Sequence, residues 1–328
     1  MREPQEKFPE VLSASVRSGF NECLRKGYYE QIYGITPKGQ NVHLHFGFAY
    51  AAAMETFRTV YHSTPGDEAY RYEEAALAGF LRAIEYYGDF EPLPTETKNF
   101  DRLISCYIEQ LVTYDPRKDP VQTSIGPSHS PRVEFSFAYP IEEVRHPVTG
   151  NPLIFSGRFD QLATFSDNLY VFDDKTTKAL GPTWGRQWEL RSQFSGYTWG
   201  ARKSGLAVAG AIIRGMGILK GSITTQESIV YRPPWMVDRW YTRLVWDLRR
   251  IVRAWEDNYW PHTGEESGAC SHYGGCPYNI LCKSASPEAY IDSHYRKYKY
   301  RPLEREGEKT GVVPESLQPD VGDFSAVE

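Results

Sequence analysis

The chain contains no apolar run of about 18 residues and no basic stretch leading into an apolar one, so it offers neither a membrane-spanning helix nor a secretory leader. A protein kept in the cytoplasm, with no membrane partner, is the expectation. Excess positive charge is also missing: 37 Lys and Arg stand against 42 Asp and Glu, for a net charge of −5. This argues against a general nucleic-acid coat but leaves room for local contacts to phosphate. No internal repeat is evident, and no base-reading motif is present, which predicts little sequence specificity. Cysteine is scarce, five in 328 residues, and three of the five fall within thirteen positions, Cys270, Cys276 and Cys282. Aromatic residues are abundant, with 23 Tyr and 8 Trp; packing is their ordinary use and base stacking the more specific one.

The stretch LIFSGRFDQLATFSDNLYVFDDKTT, residues 153–177, organises the rest. An alternating run from Ile154 to Phe165, a polar turn at Ser166-Asp167-Asn168 and a second run from Leu169 into Asp173-Asp174-Lys175 predict a β-hairpin. With Asp167-Asn168 as the tight turn, residues whose numbers sum to 335 face each other, which sets Asp160 opposite Lys175. Strand alternation then places Asp173 on the same face, diagonal to Asp160 and within about 7–8 Å. Two carboxylates at that separation repel unless a cation lies between them, and hard oxygen ligands suit Mg²⁺ or Mn²⁺. A solvated surface salt bridge is the plainer alternative. Apolar Val171 and Phe172 running directly into the charges weigh against it.

Helical spacing predicts helices over 13–33, from about Leu44, over 69–87 and 99–114, over 184–202 and over 237–259. The 66–120 segment reads as a helical insertion covering one side of a cleft. Strands are predicted at 133–137, 207–213 and 227–232, the second nearly all apolar and therefore central. Gln193 and Tyr197 stand four apart on one helix face, and Glu134 lies on the strand before the hairpin. Arg186, Arg191 and Arg202 are candidate phosphate contacts. So are Arg239, Arg243, Arg250 and Arg253, whose ordinary reading is a solvated helix face. The expected boundaries are a flexible terminus at 1–12, one domain at 13–300 with the cysteine cluster at 268–284, and a polar, mobile tail at 301–328.

Five-residue gaps between Cys270, Cys276 and Cys282 fit zinc poorly, since structural zinc sites favour Cys-x₂-Cys pairs. Disulfides are disfavoured in a reducing compartment. Cys106, among apolar neighbours, reads as a core residue.

The runs GRFD, YVFDDKTT and QFSGY, with the downstream cysteines, resemble the PD-(D/E)XK nucleases, in particular the RecB-like branch that includes AddB, the CRISPR-adaptation nucleases and many phage exonucleases. The resemblance covers roughly 13–285 and implies an α/β fold, with a mixed central sheet flanked by helices and a C-terminal iron–sulfur clasp. It implies that Asp160, Asp173 and the main-chain carbonyl of Asp174 hold the catalytic metal and that Lys175 positions or stabilises the attacking hydroxide. Gln193 and Tyr197 would form the rim, with Glu55 nearby. Cys23, Cys270, Cys276 and Cys282 would bind a [4Fe–4S] cluster, with His272 a lesser ligand candidate. The implied function is a deoxyribonuclease, an exonuclease of recombination, repair or phage DNA metabolism in a bacterial cell or phage-infected host, with DNA and a recombination or helicase protein as partners. One departure stands out. Where the family carries Gly-x-x-x-His-x-x-x-Glu, this chain keeps Gly47 and Glu55 but has Ala51. That departure motivates one alternative, a catalytically silent iron–sulfur DNA-binding or assembly module of a larger helicase–nuclease complex; a zinc-stabilised interaction protein is a second rival.

Overall fold

In the computed structural model, residues 8–39, 41–271 and 275–298 are described. The chain divides into two compact units, one comprising 1–39, 137–157 and 238–328, the other 40–136 and 158–237. The expected tail at 301–328 and residue His272 lie outside the described residues.

In the second unit, three helices begin where polar side chains cap their free N–H groups. Asn41 caps α3 (Val42–Ser63), Asp67 caps α4 (Glu68–Tyr87) and Asn99 caps α5 (Phe100–Thr113). Their apolar faces close over Phe46, Tyr50, Phe57, Tyr87, Leu103 and Tyr107, together with Met216 and Ile218 from the sheet. The segment read as an insertion is thus built into this core.

The sheet of this unit is mixed. Here β5 (Pro152–Phe165) pairs antiparallel with β6 (Asn168–Thr177), β6 parallel with β7 (Val208–Ile218), and β7 antiparallel with β8 (Ile223–Tyr231). The short β3 (Gln122–Thr123) and the longer β4 (Val133–Arg145) pair with β5, and residues 137–145 of β4 and 152–157 of β5 belong to the first unit. Strand β7 lies between two partners and is buried along almost its whole length, as its apolar composition predicts. The parallel β6–β7 pair requires a crossover, supplied by α6 (Ser192–Lys203). Helical spacing before it is interrupted, and 184–191 holds only a 3₁₀ turn at Arg186–Trp188. The architecture is mixed α/β, a central mixed sheet flanked by helices.

In the first unit, β1 (Val11–Ser13) pairs parallel with Ile154–Ser156 of β5, and Phe8 is buried. The looseness expected of 1–12 therefore does not extend to these residues, which gain ladder hydrogen bonds and apolar burial. Helix α7 (Pro234–Glu256) buries Leu244, Leu248, Ile251 and Trp255, as its spacing predicts. Its Asp247 forms a buried ion pair with Arg17 of α1 (Ala14–Glu22) at 2.5 Å. Beyond it, α8 (Asn279–Lys283) and α9 (Glu288–His294) lead to β9 (Tyr295–Lys297), which pairs with β2 (Ile35–Pro37).

Candidate active site

The hairpin turn is one step earlier than the sequence suggests. Ser166 and Asp167 both take left-handed backbone, φ 46° and 61°, the conformation of a two-residue hairpin turn whose twist matches the flanking strands. Pairs run from Phe165↔Asn168 to Gln161↔Phe172, so facing residues sum to 333 rather than 335, and Lys175 is not opposite Asp160. A slip of two residues leaves side-chain alternation unchanged, whereas a slip of one would have inverted it.

The β5–β6 ladder ends at Gln161↔Phe172, immediately before the acidic residues. Beyond that point the N–H of Asp174 donates to Oδ2 of Asp160 at 2.6 Å, so the first acid is tied to the second strand through its side chain. Asp173 is buried, and its carboxylate is ion-paired with the ammonium of Lys175, whose side chain is 31% exposed. Asp174 turns to a different partner: its Oδ2 accepts from Arg58 of α3 at 2.5 Å, with both side chains buried.

Electrostatics follow from this crowding. Burial holds the Asp160 carboxyl well above its ordinary 3.8, and Asp173, Asp174 and Glu134 add to the effect against Lys175. Burial also raises Asp173, although Lys175 and Arg58 oppose it. For Lys175, burial works against the charge, but Asp173 and Asp160 outweigh it and its pKa rises. Carboxylates that raise one another around a single lysine form a donor set suited to a hard divalent cation. Among the described residues no three His, Cys, Asp or Glu side chains are set at ligating distances from a common point.

Gln193 donates to the Tyr197 hydroxyl at 2.9 Å, and the Tyr197 ring lies 5.4 Å from that of Phe159, the residue preceding Asp160. Glu55 is partly buried on α3, one turn before Arg58. Glu134 has left-handed backbone, φ 52°, unusual for a strand residue, and its carboxylate is 3.9 Å from Arg158. Arg202 is not available as a phosphate contact, because its guanidinium donates to the carbonyls of Val208 and Arg232. Arg186 and Arg191 are placed on the segment before α6, outside any regular helix. On α7, Arg243 and Arg253 are exposed and Arg253 pairs with Asp257, while Arg250 donates to Asn21.

Two contributors escape a sequence reading. Arg58 follows Ala51 by seven residues, two helical turns, a spacing that hints at a shared face. Lys98 carries no comparable signal. It is buried just before the cap of α5, donating to Oγ1 of Thr176 at 3.1 Å and to its carbonyl at 3.3 Å.

In the first unit, Cys23, Cys270, Cys276 and Cys282 line one cavity of about 30 Å³, together with Lys26, His262 and Glu265. Cys23 interrupts the helix expected over 13–33: extended backbone, φ −159° and ψ 123°, separates α1 from α2 (Leu24–Gly27), and a π-helical turn, Tyr28–Ile32, follows. Gly264 closes against it so tightly that a Cβ there would lie 3.1 Å from Cys23 Cβ and 3.4 Å from its sulfur. The thiols are free. Burial raises Cys276 and lifts Cys282 to about 11, with the other cluster thiols contributing to both. Cys106 stands apart in the α5 core, where burial lifts its pKa to about 12. Four thiols in one pocket, with Lys26 beside them, fit a thiolate-ligated group.

A family model described as the PD-(D/E)XK nuclease superfamily matches residues 11–283. No curated protein matches the chain. Sixteen chains of solved structures match. One, described as "Crystal structure of SSO0001", is 11% identical, with 64% of this chain and 87% of that chain covered and a TM-score of 0.26.

Proposed function

The chain belongs to the PD-(D/E)XK nuclease superfamily, and on that premise we propose that it is a Mg²⁺- or Mn²⁺-dependent deoxyribonuclease acting as an exonuclease in recombination, repair or phage DNA metabolism. The observation that carries this reading is the meeting of Asp160 with the Asp173–Lys175 ion pair where the β5–β6 ladder ends. Asp160, Asp173 and the carbonyl of Asp174 are the groups that would hold the ion. A bound divalent cation supplies an acidified water and neutralises charge on the scissile phosphate.

The protein's own groups do the rest. The Lys175 ammonium adds positive charge where the phosphate becomes more negative, and burial of its neighbours strengthens that interaction. Gln193 and Tyr197, fixed to each other, line the approach and orient the strand. Raised carboxyl pKa values mean that protons compete with the cation, so activity rises with pH as Asp160 and Asp173 ionise.

Cys23, Cys270, Cys276 and Cys282 are proposed to hold a [4Fe–4S] cluster of the RecB-like branch, with a structural role. The spacing and the motif resemblance support the cluster. Four thiols around one cavity are also the donor set of a single zinc ion, the second reading. Iron and sulfide analysis of anaerobically purified protein, with absorbance near ~400 nm expected for the cluster, decides between them.

The test of the function is incubation with end-labelled single- and double-stranded DNA and Mg²⁺ or Mn²⁺, beside Asp173→Ala. Metal-dependent degradation by the wild type and its loss in the variant are expected. Equal degradation by both, or none by the wild type, overturns the reading.

A further inference from the structure

Residues 173–176 of β6 alternate in what they do. Asp173 and Lys175 pair with each other, whereas Asp174 and Thr176 are taken up by two cations from the helical layer. Arg58 of α3 holds the Asp174 carboxylate and lies 5.0 Å from the Phe172 ring. Lys98 holds both Oγ1 and the carbonyl of Thr176 and lies 5.3 Å from the ring of Phe46. Arg58 is 6% exposed and Lys98 4%.

Neither cation is a cheap way to fill a core. A buried charge costs several kcal/mol even when partnered, and a well-packed apolar residue of similar volume often serves stability as well or better. A methionine at 98 would rest on Phe46 without that cost. Burial draws the Lys98 pKa down to about 8, in keeping with an ammonium whose hydrogen-bond acceptors are uncharged. What the two cations accomplish together is geometric. They fix the strand at the residue between Asp173 and Lys175 and at the residue after Lys175, two points that bracket the lysine. Arg58 also sets a positive charge against Asp174, one of the carboxylates that raise Asp160.

We infer that Arg58 and Lys98 are positioning residues of the nuclease site, gripping Asp174 and Thr176 so that Asp173, Lys175 and the Asp174 carbonyl keep the spacing that receives the metal ion and the phosphate. This rests on the function proposed above. It also gives the 66–120 segment, which lies outside the motifs of the resemblance, a part in the site through Lys98.

The test uses the full chain with Lys98→Met and with the double variant Arg58→Met/Asp174→Asn, which removes both charges of the buried pair and so avoids stranding one. Three quantities are read on folded protein: kcat and KM for end-labelled DNA, Mn²⁺ affinity by calorimetry without DNA, and melting temperature. Displaced supporting groups typically cost about 10–100-fold in metal affinity or activity. Both variants are expected to lose kcat and Mn²⁺ affinity within that range, with KM for DNA changed less than about threefold and Lys98→Met melting no lower than wild type. A purely structural role would lower the melting temperature and leave kcat and Mn²⁺ affinity per folded molecule intact. Values of kcat and Mn²⁺ affinity within about threefold of an active wild type, a change too small for a displaced support, overturn the grip alone. A wild type that neither binds Mn²⁺ nor cleaves DNA overturns the proposed function, and the grip with it.

Discussion

Replacing Asp160 by Asn should make the metal-free protein more stable while abolishing its function. Asp160 stands among Asp173, Asp174 and Glu134, and its carboxyl is raised well above 3.8 because burial and these neighbours oppose its charge. Asparagine retains an oxygen able to accept from the Asp174 N–H, now at 2.6 Å, but carries no charge. At an effective dielectric near 20, one like-charged neighbour at about 5 Å costs roughly 3 kcal/mol. Lys175 offsets part of this, and partial protonation relieves more, leaving an expected gain of about 1–3 kcal/mol at pH 8. For domains of this size each kcal/mol moves the melting temperature by about 2–4 °C. The gain must also depend on pH. A carboxyl whose folded pKa is raised binds its proton more tightly folded than unfolded, so wild-type stability falls as pH rises from the ordinary carboxylate range through the raised value. The Asp160→Asn variant lacks that titration, so the two melting curves should converge near pH 4–5 and separate towards pH 8. Differential scanning calorimetry in EDTA measures this, and Mn²⁺ should stabilise only the wild type. A metal-free Asp160→Asn protein that melts below wild type at pH 8 would show that the Asp160 charge does not destabilise the empty site.

Cys276→Ala is expected to lose bound metal and solubility together, whereas Cys106→Ala, outside the thiol pocket, should keep both; metal analysis of the purified variants reads the result. Gly79→Ala should cost about 1–3 kcal/mol through overpacking, because the new Cβ would lie 2.8 Å from the Ala53 carbonyl oxygen and against the Tyr107 hydroxyl. Adding Tyr107→Phe should recover part of that loss in denaturant unfolding, and no recovery would show that the hydroxyl is not the obstacle.

The hairpin was legible because its two apolar runs end in polar turn residues, and its convergence of charges survived a misplaced turn because a slip of two preserves the face. The turn itself was not legible: Asp167-Asn168 and Ser166-Asp167 differ only in which pair takes left-handed backbone, and both pairs tolerate it. Periodicity found α3, α4, α5 and α7 to within a few residues, since each has a continuous apolar stripe. It failed at Cys23, where local spacing is helical but the chain is held extended between α1 and α2. It failed again at 184–191, where only a 3₁₀ turn forms. Arg58 and Lys98 act on β6 from 116 and 78 residues away, and nothing local in the sequence marks a tertiary partner at that distance.

The central claim is that Asp160 and Asp173 share one divalent ion. Anomalous diffraction at the manganese edge from crystals soaked in Mn²⁺ tests it most directly. A single peak between the two carboxylates is expected, as for a hard cation held by oxygen ligands, and is absent from crystals of Asp173→Ala. Manganese bound elsewhere, or no peak at all beside an intact Asp173–Lys175 pair, would contradict it.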